Sequence, residues 1–290
     1  MNPALSAPPA AGTALLDGFS LEMTGKDVPK LEEARDSIPR GTRINVTFLA
    51  GEDTGTRLAA ARAVKRLGFV PVPHISARRL PSRRHLEEFL AGLAADGTAD
   101  NVFVVGGDPA RPEGPYEDAL SVIRSGLLQH HGVRHVGISG YPEGHPAIAD
   151  HSLWSALGDK TAALGAGRLA GDVITQFGFD AEAVLRWVAA VRERGVRLPV
   201  RVGVPGPAGA RRLVSYATRF GVGTSASIVR KYGFSLTNLV GTAGPDRFLH
   251  MLARDYDPAR HGELKVHFYT FGGLRTTSEW IARFRHGDRH

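Results

Sequence analysis

The sequence predicts an α/β fold in which eight parallel strands, each followed by a helix, close into a (βα)8 barrel within one domain. Three observations carry this reading. Apolar, β-branched runs recur at intervals of roughly 30 residues, the length of a strand–helix unit. The runs are almost continuously apolar, as expected for strands covered on both faces. The segments between them space their apolar residues for one face of a helix.

In order, the strands are FSLEMT (19–24), RINVTFL (43–49), VPVPHIS (70–76), NVFVVGG (101–107), RHVGISGYP (134–142), GDVITQFGF (171–179), PVRVGVPGP (199–207) and LKVHFYTF (264–271). The helices are clearest in LAAARAVKRLG (58–68), RHLEEFLAGLAA (84–95) and AEAVLRWVAAVRERG (181–195), the last with Gly195 as its stop. The interval between strands seven and eight is longer than the others. It contains GVGTSASIVRKYGFSLTNLVG, read as a helical insertion. MNPALSAPPAAGTALLD (1–17) is rich in Ala and Pro and has no basic region before an apolar stretch, so it reads as a loose tail and not a signal peptide. Residues 18–290 then form the single barrel domain.

Composition narrows the chemistry. The 290 residues contain no cysteine, which removes disulfides, thiolate metal sites and cysteine nucleophiles. No apolar run is long enough to span a membrane, and a cytoplasmic location is expected. The net charge of +7 comes largely from arginines scattered among glutamates, as on solvated helix faces. No aromatic residues interleave them, so nucleic acid is not an expected partner.

In a parallel barrel, reactive groups sit at the C-terminal ends of the strands. Glu22, Thr47, His74, Asp108, Tyr141, Glu143, His145, Gln176, His267 and Tyr269 all fall there or just beyond. A polar residue in an apolar strand is costly unless paired, and so many at one end favour a site. In VVGGDP, Gly106 and Gly107 permit close approach of a flat ligand. Asp108 then projects into the mouth, with capping of the next turn as its structural alternative.

The order FSLEMT, NVTF, PHIS, VVGGDP, GYPEGHP, VITQFGFD, VGVPGPAG and HFYTF resembles the 5,10-methylenetetrahydrofolate reductases, from about residue 18 to 281. The resemblance implies a TIM-barrel enzyme that passes hydride from NADH or NADPH to FAD and then to the methylene carbon of the folate. The product is 5-methyltetrahydrofolate, of use in one-carbon metabolism and methionine biosynthesis. It implies Glu22 as the general acid that opens the imidazolidine ring, a role the residue serves if its apolar strand raises its pKa. It implies Asp108 beside the flavin and the pterin, Gln176 on the pterin and the reducing cofactor, and Tyr269 near the folate. Thr47, His74, Gly107, Tyr141, His145 and Lys160 fall on flavin-contacting positions, with Lys160 set to neutralise a diphosphate. A second copy of the chain is a compatible partner.

The sequence departs from the family at four places. Gly106 stands where an arginine precedes the Gly-Asp. LWSALGDKTAALGAG keeps only Lys160 of a lysine-rich pattern. MTGKD replaces Phe-Phe-Pro-Pro, and GTSASIVRKYG alters the nicotinamide loop. Direct transfer from NAD(P)H to the folate without flavin is therefore an alternative, and a pterin-binding methyltransferase barrel is another. LGAGRLAG (164–171) has the wrong glycine spacing for a dinucleotide loop, GISGY (137–141) is no nucleophile elbow, and Gly132 breaks the helix that would align the histidines of HHGVRH, so no metal site is expected.

Overall fold

Eight parallel strands close on one another in the order expected of consecutive βα units. They are β1 (Ser20–Thr24), β2 (Arg43–Thr47), β3 (Val70–Ser76), β4 (Asn101–Val105), β5 (His135–Gly140), β6 (Ala170–Thr175), β7 (Val200–Pro205) and β8 (Leu264–Tyr269), with β1 pairing both β2 and β8. The structure is a computed structural model and describes residues 14–49, 51–220 and 242–287. The eight runs read from the sequence are the eight barrel strands. They end two or more residues earlier than the apolar runs, apart from β1 and β3. Gln176 is thus the first residue after β6 and not part of it.

The helices are α1 (Val28–Ala34), α2 (Thr54–Arg66), α3 (Arg83–Ala95), α4 (Ala119–Ile123), α5 (Leu127–His130), α6 (Asp150–Ala166), α7 (Ala181–Glu193), α8 (Ala210–Phe220), α9 (Asp246–Asp255), α10 (Pro258–His261) and α11 (Leu274–His286). Several start on a side-chain cap: Asp53 accepts the Thr56 N–H at 2.8 Å, Ser82 the His85 N–H at 3.1 Å, and Asp180 the Ala183 N–H at 3.1 Å. Within the long interval before β8, α8 to α10 are formed. Ala208–Gly209 pairs antiparallel with Thr242–Ala243 and ties its two ends together. Residues 221–241 of the expected insertion lie outside the described residues.

Alternation along each strand sorts the core. Leu21, Met23, Ile44, Val46, Val136, Ile138, Val202, Val204, Val266 and Phe268 face outward and pack beneath the helices. The other parity faces the lumen, where Val72, Phe103 and Ile174 form a separate apolar layer. Gly137 makes room for it, since a Cβ there would sit 2.8 Å from the Phe103 ring. Packing extends to residues just before the boundary read from the sequence. Leu15 and Leu16 are buried in the main core, and Arg285 of α11 donates to the Leu16 carbonyl at 2.5 Å. The Ala-Leu-Leu stretch therefore belongs to the barrel, while residues 1–13 of the tail lie outside the described residues.

Arg192, near the end of α7, is buried and donates to the carbonyls of His261 (2.7 Å), Val196 (3.0 Å), Leu198 (2.6 Å) and Glu263 (3.4 Å). It clamps the entries to β7 and β8 at once. Arg192→Met keeps the stem but strands these acceptors, and should cost about 3 kcal/mol of unfolding free energy in a urea titration; a loss below about 0.5 kcal/mol would mean that the clamp is dispensable.

Candidate active site

At the C-terminal end of the lumen four strands bring polar side chains together. Glu22 of β1 places Oε2 3.5 Å from Nε2 of His267 on β8, whose Nδ1 lies 2.9 Å from the Ser20 hydroxyl. His267 is fully buried, and its Nε2 completes no hydrogen bond of normal geometry. His74 of β3 is buried, its ring tilted on Phe103 at 4.8 Å, with Nε2 unpartnered among the described residues. Buried Arg57 of α2 donates to the His74 carbonyl and lays its guanidinium 4.1 Å from the Phe89 ring centre, fixing the end of β3. Asn45 of β2 also has buried polar side-chain atoms without a hydrogen-bond partner among the described residues. Buried polar atoms are normally satisfied, so this concentration marks a place made to receive a polar ligand.

The electrostatics differ from the sequence expectation at Glu22. Burial pushes its carboxyl up, as expected. The His267 contact, the nearby charges of His74 and His267, and the Thr47 hydroxyl outweigh burial, so the net position lies below the ordinary value. The neighbouring strands, which the β1 segment does not reveal, therefore reverse the rise that the apolar strand alone would give. His74 is lowered from 6.5 to about 4 by burial, with Glu22 opposing, and is neutral at pH 7. Tyr269 is raised well above its ordinary value, first by burial and then by Glu22 and Tyr141. Its hydroxyl donates to the Thr175 carbonyl at 3.0 Å.

Other expected residues divide. Gln176 donates its backbone N–H to Gly140 and turns Oε1 to the Phe177 N–H at 3.1 Å. Tyr141 and His145 meet edge-to-face at 5.4 Å on the loop after β5. Burial lowers the pKa of His145. Gly107 has φ +96°, and a Cβ there would lie 2.3 Å from the Ser76 hydroxyl, so this glycine is required by its own backbone. Gly106, by contrast, borders open space. Asp108 is not brought into the cluster. Its side chain is 74% exposed and bound to Arg79 at 2.7 Å on the rim.

Sequence reading left His267 without a role and missed Ser20 and Asn45. The available signal was parity: Arg43, Asn45 and Thr47, like Lys265, His267 and Tyr269, occupy one face of their strands. It also missed an aromatic wall over the mouth. Tyr216 of α8 stacks on Phe271 at 4.1 Å, and Phe177 meets Tyr269 at 5.3 Å and Phe271 at 5.1 Å.

Beside this mouth lies a cleft of about 750 Å³ between the β5 loop and α6, bordered by Gly106, Tyr141 and Lys160, where the resemblance places FAD. Its volume suits a large cofactor, but its charge does not suit a diphosphate. Asp118, Glu143, Asp150 and Asp159 line it. Lys160 is buried and donates to the carbonyl and hydroxyl of Ser139, both at 3.3 Å. Burial lowers it to about 8, with Asp118 opposing. An anion entering here meets four carboxylates against one buried lysine, which spends donors on Ser139. The residues present do not fit the diphosphate of FAD.

The buried His74 gives a pH dependence with a defined sign. Its folded pKa lies below the unfolded one, so the unfolded chain binds the extra proton between pH 6.5 and about 4. Stability from this group is complete above pH 6.5 and falls with pH through that window. His74→Gln should flatten this limb by up to roughly 3 kcal/mol, read from urea midpoints at pH 7 and pH 4.5; an unchanged difference would show that His74 does not drive it.

Among known proteins, the methylenetetrahydrofolate reductase family model matches residues 22–277. Methylenetetrahydrofolate reductase 2 of Saccharomyces cerevisiae is 26% identical over 175 residues, covering 56% of this chain. The aligned region spans only 28% of the yeast protein's own length. The crystal structure of dihydropteroate synthase from Thermus thermophilus covers 92% of both chains at 17% identity and a TM-score of 0.47. Since the family match runs from the first barrel strand into the helix that closes the eighth unit, the chain belongs to the methylenetetrahydrofolate reductase family.

Proposed function

We propose that the protein reduces 5,10-methylenetetrahydrofolate to 5-methyltetrahydrofolate, with NADH or NADPH giving hydride directly to the folate. The carrying observation is the Glu22–His267 pair, set in a partly water-shielded mouth lined by unsatisfied polar groups. Family membership supplies the substrate class. The acidic lining of the neighbouring cleft supports direct transfer over transfer through FAD.

The reaction needs a proton on the leaving ring nitrogen and a hydride on the methylene carbon. Glu22, with Oε2 3.5 Å from Nε2 of His267, is the group placed to carry that proton. Ser20 fixes His267 through Nδ1, so Nε2 faces the acid. A folate seated over the mouth excludes water from Glu22 and strengthens the burial effect that raises its pKa. The proton then passes to the ring nitrogen as the C–N bond opens, leaving an electrophilic iminium carbon. Hydride from the dihydronicotinamide reduces this carbon to methyl, and NAD(P)+ leaves. Gln176, with Oε1 held by the Phe177 N–H, offers its Nε2 donors to an acceptor on the pterin. Tyr269 and the Phe177–Phe271–Tyr216 wall provide faces for the flat rings. Asp108 meets the pterin only by exchanging Arg79 for it.

The second reading, hydride passage through FAD, is favoured by the cleft's volume and by Tyr141 and Lys160 on its wall. An absorption spectrum after incubation with FAD and desalting separates the two. The expected result is no retained flavin, with NAD(P)H oxidation that depends on methylenetetrahydrofolate. Retained bands that bleach with NAD(P)H and recover with the folate would overturn direct transfer, and no oxidation at all would overturn the reductase assignment. Glu22→Gln should lower kcat by roughly 10²-fold or more while leaving the fold intact, and sustained turnover would remove Glu22 as the acid. His267→Asn should lower kcat more than it raises KM and displace the pH profile of kcat. A profile matching that of the unmodified protein would leave His267 a packing residue.

A further inference from the structure

The opposite end of the barrel holds a second cavity, of about 350 Å³, that the reaction does not use. Its lining comes from the entry to β1 (Asp17, Gly18, Phe19), the loop before β2 (Pro39 to Arg43), Arg201 of β7, Lys265 of β8 and Arg285 of α11. Five cationic side chains, Arg40, Arg43, Arg201, Lys265 and Arg285, face one carboxylate, Asp17. Glu22 lies three residues along β1 from Phe19 of this lining, about 10 Å at roughly 3.3 Å per residue.

The nearby acids are already engaged. Asp172 of β6, only 2% exposed, binds Arg201 at 2.6 Å and lies 3.9 Å from Arg43. Glu263 takes Lys265 at 2.8 Å, and Asp17 takes Arg285 at 3.1 Å. Counting these three carboxylates against the five cations leaves two positive charges unneutralised. Arg40 has no ion-pair partner among the described residues, and its guanidinium lies over Gly68, 2.9 Å from where a Cβ would stand. The Nε of Arg285 is buried without an acceptor. Arg201 is 7% exposed, which separates this cluster from an ordinary solvated basic patch. Burial holds Arg43 below its ordinary value; Asp172 opposes that, and Arg201 adds to it. Grouped, partly dehydrated guanidinium groups with too few carboxylates are costly unless a further anion joins them.

We propose that this cavity binds a small organic phosphate monoester. Two charges match the two in excess. Guanidinium forks match phosphate oxygens, and the volume exceeds what a bare phosphate fills. The cavity does not depend on the reductase reading, because it lies at the other end of the strands from the folate.

The test is titration calorimetry on the full chain with ribose 5-phosphate and with inorganic phosphate, at ionic strength matched with chloride. Arg40→Gln/Lys265→Gln removes two lining cations that do not hold the buried floor. Arg83→Gln/Arg84→Gln makes the same charge change on the exposed side of α3, where both arginines pair only with glutamates of their own helix. The expected result is binding of ribose 5-phosphate to the unmodified and α3-substituted proteins, weakened tenfold or more by the cavity pair. Equal affinity in both double variants, binding of inorganic phosphate but not of the ester, or no binding of either probe would each overturn the proposal.

Discussion

The barrel closes around a charged floor. Asp172 stands almost wholly out of water, with Arg201 bound at 2.6 Å and Arg43 and His135 each 3.9 Å away. Arg201 also donates to the Gly18 carbonyl at 2.8 Å. The group joins β2, β5, β6 and β7 to the chain entering β1. Removing one member of such a buried set strands the others, so the floor specifies one register for the strands it links. The next layer, Val72, Phe103 and Ile174, rests on it and excludes water from below. The active-site polar groups occupy the layer above.

That stacking explains how one barrel has two electrically different ends. The C-terminal cleft is rich in carboxylates, while the N-terminal cavity is rich in arginine. The apolar layer between them prevents either charge set from neutralising the other by contact. The acidic upper cleft and the engaged Lys160 also give the proposed direct hydride transfer its physical basis, since neither welcomes a resident flavin dinucleotide.

The Glu22 site works by opposing influences. Burial favours the protonated acid, while His267, His74 and Thr47 favour the carboxylate. In the proposed reaction, a ligand that closes the mouth shifts this balance without moving the backbone. On that proposal the free protein keeps a charged acid, which takes up the proton the reaction uses as the ligand seats.

The sequence by itself determined the fold class and the placement of most polar site residues. The eight runs and their spacing are local properties, and strand parity carries a side chain to one face or the other whatever its partner. Glu22, His74 and Tyr269 stood out as polar residues within apolar strands, while the role expected of Gln176 came from the family resemblance. Tertiary structure decided the rest. Glu22 looked set to rise above the ordinary carboxyl value because its own strand is apolar, yet contacts from β8, β3 and β2 outweigh burial and lower it. Asp108 looked central because it follows a barrel strand, yet Arg79, far off in sequence, holds it at the rim. Lys160 looked free for a phosphate, yet Ser139 across the β5–α6 interface occupies it. The basal cavity had no signal along the chain, because Arg40, Arg43, Arg201, Lys265 and Arg285 meet only when the barrel closes. Charge state, pairing and dehydration arise between distant segments, and only the closed fold brings those segments together.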